Sequence, residues 1–385
     1  MVQTAPQEGT DRPSVTDRKA LCAPIPQEYL KGDEIRIRKG CGTMIAYENG
    51  PHVVTWELTR ACQLHCRHCR AQAIPRRNPG ELALDEMLPV LDDLAQGFTR
   101  PPVLVLTGGD PLERPDLDLI IKAARGRGLT VAVAPSVTPN LTPEVIHRWK
   151  TLGVHAVSLS IDGPTAEIHD RFRGFRGIFD RSLAIAKAIT DEGIALQINT
   201  SVGRQTVDQL PLMGDLVRRL EASSWEVFFV IPTGRARLED ALSAEEIEKA
   251  LHWLADWKET FPFRVTTVGA PQWVRILHAH HPEMPPHVIA REARGFAFID
   301  HRGEVYPNGY LPISAGNVRH TPLSRLYRES PLFRSLRDSS RFLGGCGTCD
   351  YRDTCGGSRA RAYAVTGNPL GADPGCPYAV MADAG

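Results

Sequence analysis

The chain has 385 residues, 42% hydrophobic and 23% charged, enough to build one large domain with a smaller one, or two of middling size. Lys+Arg and Asp+Glu both number 45, so the net charge is zero, which speaks against a nucleic-acid surface built on a basic excess. No apolar run reaches the roughly 18–20 residues that span a bilayer, and no secretory signal opens the chain, so a cytoplasmic protein without a membrane partner is expected.

Residues 1–18 are polar and rich in Thr, Pro, Asp and Arg, and read as a disordered lead-in within an N-terminal extension over 1–50. From 53 to about 268, strand-like and helix-like segments alternate. Strands are predicted at 53–58, 103–107, 129–134, 155–161, 195–202 and 225–231, with 263–268 as the last. Helices are predicted at 85–96, 116–127, 178–192, 207–220 and 243–260, and another starts at Pro143 behind Thr142 as its cap. Ser243 with Glu246 forms a capping-box pattern. This alternation predicts a parallel sheet covered by helices, an α/β partial (β/α)6 TIM-like barrel or an open sheet. Either form binds ligands at the C-terminal ends of its strands. Residues 270–295 are rich in His, Pro and Arg and read as irregular. Two short runs flanking His301-Arg302-Gly303 predict a hairpin, followed by short helices and a cysteine-rich end. The boundary is placed near 290, giving a core over 51–290 and a small C-terminal domain over 291–385.

Seven of the nine cysteines fall in two groups. Without a signal peptide, clustered cysteines point to metal or redox chemistry rather than disulfides. Cys62-x3-Cys66-x2-Cys69 lies directly after the first strand. Three thiolates do not complete a tetrahedral zinc site, but suit a 4Fe–4S cubane with one iron left open. Cys346-x2-Cys349-x5-Cys355-x20-Cys376 is a full set of four, which zinc and iron–sulfur centres both accept. Cys22 and Cys41 stand alone and read as buried thiols. His65 and His68 lie inside the first cysteine loop and are expected to pack around it.

Together with Leu106-Thr107-Gly108-Gly109-Asp110-Pro111, Ser158-Leu159-Ser160-Ile161-Asp162-Gly163 and His169-Asp170-x-Phe172-Arg173-Gly174, the first cysteine group resembles the radical S-adenosylmethionine (SAM) family over about 55–235. The resemblance implies a catalytic 4Fe–4S cluster whose open iron binds SAM. One electron then cleaves SAM to methionine and a 5′-deoxyadenosyl radical that takes a hydrogen atom from substrate. It implies SAM contacts at Gly108, Gly109, Asp110 and Pro111, with Asp110 departing from the Glu of the family motif. Ser136, Ser160 and Asp162 match positions near the ribose and methionine carboxylate, and Arg173 suits that carboxylate. Asp162 as a turn cap and Arg173 as a solvated charge are the alternatives. The segment 197–200 matches the adenine wall or an ordinary core strand.

The C-terminal group, with Arg359-Ala360-Arg361-Ala362-Tyr363, resembles the SPASM or twitch extension, which implies an auxiliary 4Fe–4S cluster. Many relatives carry a cysteine after the hairpin where this chain has Asn308, so one auxiliary cluster is expected. Reduced flavodoxin or ferredoxin is the implied electron donor. The substrate is a small molecule or a peptide. The resemblance leans to propionate side chains of heme-type tetrapyrroles, in heme and heme d1 biosynthesis. Arg-rich segments at 70–77 and 171–176 would face such an acidic substrate or form a solvated rim. A ribosomal peptide maturase and an enzyme modifying a sugar or antibiotic precursor are the competing readings. A non-catalytic zinc-binding protein leaves Gly108, Gly109 and the α/β repeat unexplained.

Overall fold

A computed structural model describes residues 47–282 and 290–379. The N-terminal lead-in, Cys22 and Cys41 lie outside the described residues. The strands β1 (Val53–Glu57), β2 (Val103–Thr107), β3 (Val131–Val133), β4 (Ala156–Ser160), β5 (Ala195–Val202), β6 (Ser224–Phe229) and β7 (Arg264–Val268) pair in that order, each parallel to the next. The helices α1 (Leu84–Gln96), α2 (Leu117–Gly126), α3 (Pro143–Thr151), α4 (Ala166–Arg173), α5 (Ile178–Asp191), α6 (Leu210–Arg219) and α7 (Ala244–Trp257) fall between them. This is the partial TIM-like barrel that the alternation predicts, with one strand beyond six.

Strand composition explains the layers. Along β5, Leu196, Ile198, Thr200 and Val202 are buried while Ala195, Gln197, Asn199 and Ser201 are half-buried. A parallel strand covered by apolar structure on both faces reads as a continuous hydrophobic run. Here one face packs under helices and the other is left polar toward the barrel interior. The helical layer closes the core around Trp56, Trp149, Trp225 and Trp273, each at most 1% exposed. Burying a large apolar side chain of this kind stabilises the fold by about 1.5–3 kcal/mol.

Two elements differ from the sequence expectation. Residues read as irregular contain α8 (Trp273–His280), which buries Trp273, Val274, Ile276 and Leu277. Eight residues flanked by His and Pro carry too little periodicity to register as a helix. The hairpin is present, as β9 (Gly295–Ile299) antiparallel to β10 (Val305–Tyr306). However, β9 also pairs in parallel with β1, Phe296 opposite Val53 and Ile299 opposite Trp56. A two-residue strand, β8 (Arg291–Glu292), pairs with β9 as well. The barrel sheet therefore runs across the boundary placed near residue 290. Local pattern identifies a hairpin but not which free edge receives it. Beyond lie α9 (Leu323–Glu329), α10 (Pro331–Arg337), α11 (Gly344–Thr348) and α12 (Arg359–Thr366).

Candidate active site and second cysteine site

Leaving β1, the chain turns into the first cysteine loop, whose neck is tied by Cys62 N–H to Ile74 O and Ile74 N–H to Arg60 O, both 2.9 Å. The thiols of Cys62, Cys66 and Cys69 gather in one small apolar cluster with Leu64, Ala73 and Ile178. Loop amides already point at sulfur: Leu64 N–H donates to Cys62 Sγ at 3.3 Å and Ala73 N–H to Cys69 Sγ at 3.4 Å. Burial pushes the Cys62 thiol up to about 11 and also raises Cys66. Such thiols ionise only against a cationic centre, which is how metal displaces their protons. His68 stacks on Phe172 with ring centroids 4.3 Å apart, and His65 Nδ1 lies 2.8 Å from Arg235 Nη1.

The glycine pair after β2 has a packing reason. Gly109 N–H donates to Thr59 O and Asp110 N–H to Ala61 O, both at 2.7 Å. A Cβ on Gly109 would lie 2.4 Å from Ala61 O, and one on Gly108 2.6 Å from Thr59 O. Only glycine lets this turn lie against the cysteine loop. Asp110 is fully buried, accepting from Thr138 Oγ1 at 2.7 Å, Leu112 N–H at 3.2 Å and Ser136 N–H at 3.4 Å. Burial pushes its carboxyl up to about 6. Its side chain ties the ends of β2 and β3 together, with Pro111 opening the turn beside it.

A small open pocket lies beside the cysteine loop, lined by Ser136, Ser160, Arg173, His169 and Leu64 among others. It therefore unites three of the predicted cofactor-binding residues, while Gly108, Gly109, Asp110, Pro111 and Asp162 do not line it. Ser136 Oγ donates to Gly109 O at 2.7 Å and lies 3.5 Å from Cys62 Sγ. Thr165 caps α4, the helix that carries His169 and Arg173. Arg173 Nη2 pairs with Asp162 Oδ2 at 2.6 Å, and its Nη1 lies 3.8 Å from Cys66 Sγ. Asp162 Oδ1 accepts from Ser201 N–H at 2.7 Å. Burial works to raise the Asp162 carboxyl, but the Arg173 guanidinium overrides it and holds it below the usual range. His169 Nδ1 accepts from Asp162 N–H at 3.0 Å, and burial, reinforced by Arg173, lowers it to about 4. The ring is neutral at pH 7, and the acceptor role of Nδ1 assigns its proton to Nε2. That atom, Arg173 Nε and Arg235 Nε and Nη2 are buried without partners. Four unsatisfied donors near three thiols fit an anionic, sulfur-rich group or a carboxylate.

The arginine-rich segments are largely committed within the chain. Arg70 pairs with Glu57 at 2.7 Å, Arg77 with Glu81 at 2.6 Å and Arg171 with Glu167 at 3.9 Å. Glu57 also meets His301 Nδ1 at 3.0 Å. This contact appears only once β9 lies beside β1, and no local signal marks it.

The second group converges too. Cys346, Cys349, Cys355 and Cys376 line one small pocket with Arg275 and Tyr378. Gly357 lets the chain pass against sulfur, since a Cβ there would lie 2.8 Å from Cys346 Sγ. Buried Asp373 organises the wall, accepting from Ser358 N–H and Gln272 Nε2 at 2.7 and 2.8 Å. Burial raises Cys355 to about 12 and also raises Cys346. Among the described residues, no three His, Cys, Asp or Glu side chains close on a single-ion site. The C-terminal set instead lines one shared pocket, and the first set packs in one apolar cluster. Arg275 and Asp373 were not singled out from sequence.

Residues 56–216 match the radical SAM superfamily. The chain is 36% identical to the AdoMet-dependent heme synthase of Methanosarcina barkeri over 347 residues, 87% of this chain and 99% of that protein. It is 28% identical to the Fe-coproporphyrin III synthase of the same organism, over 84% of this chain and 87% of that one. The structure of Streptococcus suis SuiB bound to S-adenosylmethionine superposes with a TM-score of 0.68 at 15% identity, covering 86% of this chain and 78% of that one. The last likeness is one of fold. Motif, cavity and relatives agree: this chain belongs to the radical SAM superfamily.

Proposed function

We propose that this radical SAM enzyme takes a hydrogen atom from a propionate side chain of an iron tetrapyrrole, in heme formation. The observation that carries the reading is the 36% identity to a heme synthase across 99% of that protein's length. Cys62, Cys66 and Cys69 would hold the catalytic 4Fe–4S cluster. Bound there and reduced, the cluster supplies the electron that splits SAM into methionine and a 5′-deoxyadenosyl radical. The chain's own groups bind and orient. Arg173, held by Asp162, presents a guanidinium toward the SAM carboxylate. Ser136 and Ser160 face the same cavity and suit the ribose. Gly108, Gly109, Asp110 and Pro111 brace the cysteine loop, leaving the SAM amino group to backbone carbonyls. His169, neutral and donating from Nε2, adds a donor without adding charge.

Cys346, Cys349, Cys355 and Cys376 would hold an auxiliary 4Fe–4S cluster in a SPASM- or twitch-like domain over 291–385, after a core over 51–290 and an extension over 1–50. All four ligands are thiolates, so that cluster serves electron transfer or structure rather than substrate ligation. Reduced flavodoxin or ferredoxin is the proposed donor and the cytoplasm the proposed compartment. Among the described residues no helix is long and apolar enough to cross a membrane.

The test is an anaerobic assay of reconstituted protein with SAM, dithionite and iron coproporphyrin III. Heme together with 5′-deoxyadenosine is the expected outcome. Deoxyadenosine stimulated by a ribosomal precursor peptide and not by the porphyrin would overturn the substrate in favour of peptide maturation.

A further inference from the structure

Guanidinium groups stand against two of the four C-terminal cysteines. Arg359, in the first turn of α12, is 2% exposed. Its Nη1 donates to Gly371 O at 2.6 Å and Pro369 O at 3.3 Å, its Nε to Gly357 O at 3.3 Å, and its Nη2 to Cys346 Sγ at 3.3 Å. The Phe342 ring covers its plane, 4.6 Å from Cζ. Every one of these partners except the thiol is an uncharged carbonyl or ring. A buried cation requires an anion, and among the described residues the anion-forming group that Arg359 touches is Cys346.

Arg275 presents the same fork differently. It is 8% exposed, its Nη2 lies 4.0 Å from Cys376 Sγ, and the Tyr378 ring sits 4.3 Å from its Cζ. Glu248, on α7, takes both of its arms at 2.8 and 2.5 Å. Its charge is therefore compensated by a carboxylate, while among the described residues that of Arg359 is not. At the catalytic loop, Arg173 stands 3.8 Å from Cys66 Sγ and is compensated by Asp162 at 2.6 Å.

We propose that Arg359 raises the reduction potential of the cluster held by Cys346, Cys349, Cys355 and Cys376, and that Glu248 limits the same effect of Arg275. The inference rests on that site holding a 4Fe–4S cluster, as proposed above. A cubane on four thiolates is anionic when oxidised and gains one further negative charge when reduced. One electron enters from an external reductant, and no bond forms or breaks. A fixed cation in a low-dielectric wall stabilises the more negative state, and a hydrogen bond to cysteine sulfur acts in the same direction. Arg359 acts through Cys346 and is a positioning residue.

The test is a redox titration, followed by electron paramagnetic resonance, of reconstituted wild type, Arg359→Gln and Glu248→Gln, poised with dithionite and mediators. Arg359→Gln should weaken electron uptake by the auxiliary cluster at least tenfold, a negative shift of about 59 mV for a one-electron couple. Glu248→Gln, which uncovers Arg275, should shift it in the opposite direction. The signal that responds to SAM should stay in place in both. A structural role alone gives no such opposition of sign. Unchanged midpoints, or shifts of the same sign, in loaded variants would overturn the inference. If Arg359→Gln fails to bind its cluster, Arg359→Lys, which keeps the charge, should hold the midpoint near that of wild type, and a roughly tenfold loss of electron uptake there would overturn the inference. A wild type that loads only about four irons and shows one cluster signal would instead remove the auxiliary cluster itself.

Discussion

Cys66 and Gly109 define the residue scale. Cys66 sits in the apolar cluster of three thiols, with Arg173 beside its sulfur. Cys66→Ala should abolish dithionite-dependent 5′-deoxyadenosine formation and leave the auxiliary cluster loaded, as its iron content and spectrum will show. Residual reductive SAM cleavage in that variant would move the catalytic centre elsewhere. Gly109→Ala asks a methyl to occupy space 2.4 Å from Ala61 O. The atom met is backbone, so the loop must shift, at a cost of about 1–3 kcal/mol. Denaturant melts of the metal-free protein should show that loss, and iron retention at the catalytic loop should fall with it. The sequence identified this glycine through its motif, which associates it with SAM. Only the structure shows that it faces the cysteine loop, because a contact between the ends of β1 and β2 leaves no trace in either segment.

At the scale of elements, local chemistry explains most boundaries. Ser243 caps α7 through its side chain, which accepts from Glu246 N–H at 3.2 Å, while Glu246 Oε2 accepts from Ser243 N–H at 2.7 Å. Ser243→Ala should lower stability by about 1 kcal/mol and leave 5′-deoxyadenosine formation unchanged, since the bonds that the cap makes lie within the first turn of α7. Its melting midpoint and turnover, measured together, check this. The same local reasoning failed at α8, where burial of Trp273 and Leu277 by the rest of the fold makes a helix of a weak pattern. It also failed at β9, whose parallel pairing with β1 is a long-range choice.

At the scale of the whole molecule, the two cysteine groups lie on one continuous sheet-based body, the second reached through β9 and β10. Anaerobic reconstitution should yield about eight irons per chain, two cubanes' worth. About four, with SAM cleavage retained, would leave the C-terminal site to zinc or to no metal.

The sequence by itself determined the α/β alternation, the parallel sheet that it implies and the two cysteine groups. These are carried by hydrophobic period and by residue spacing, which are local properties of a chain. The tertiary structure alone decided which charges meet. It paired Arg173 with Asp162 and Glu57 with His301, turned Asp110 inward, and set Arg359 against Cys346, with no carboxylate on it among the described residues. The physical reason is that a buried charge takes its partner from whatever element the fold brings beside it, at any distance along the chain.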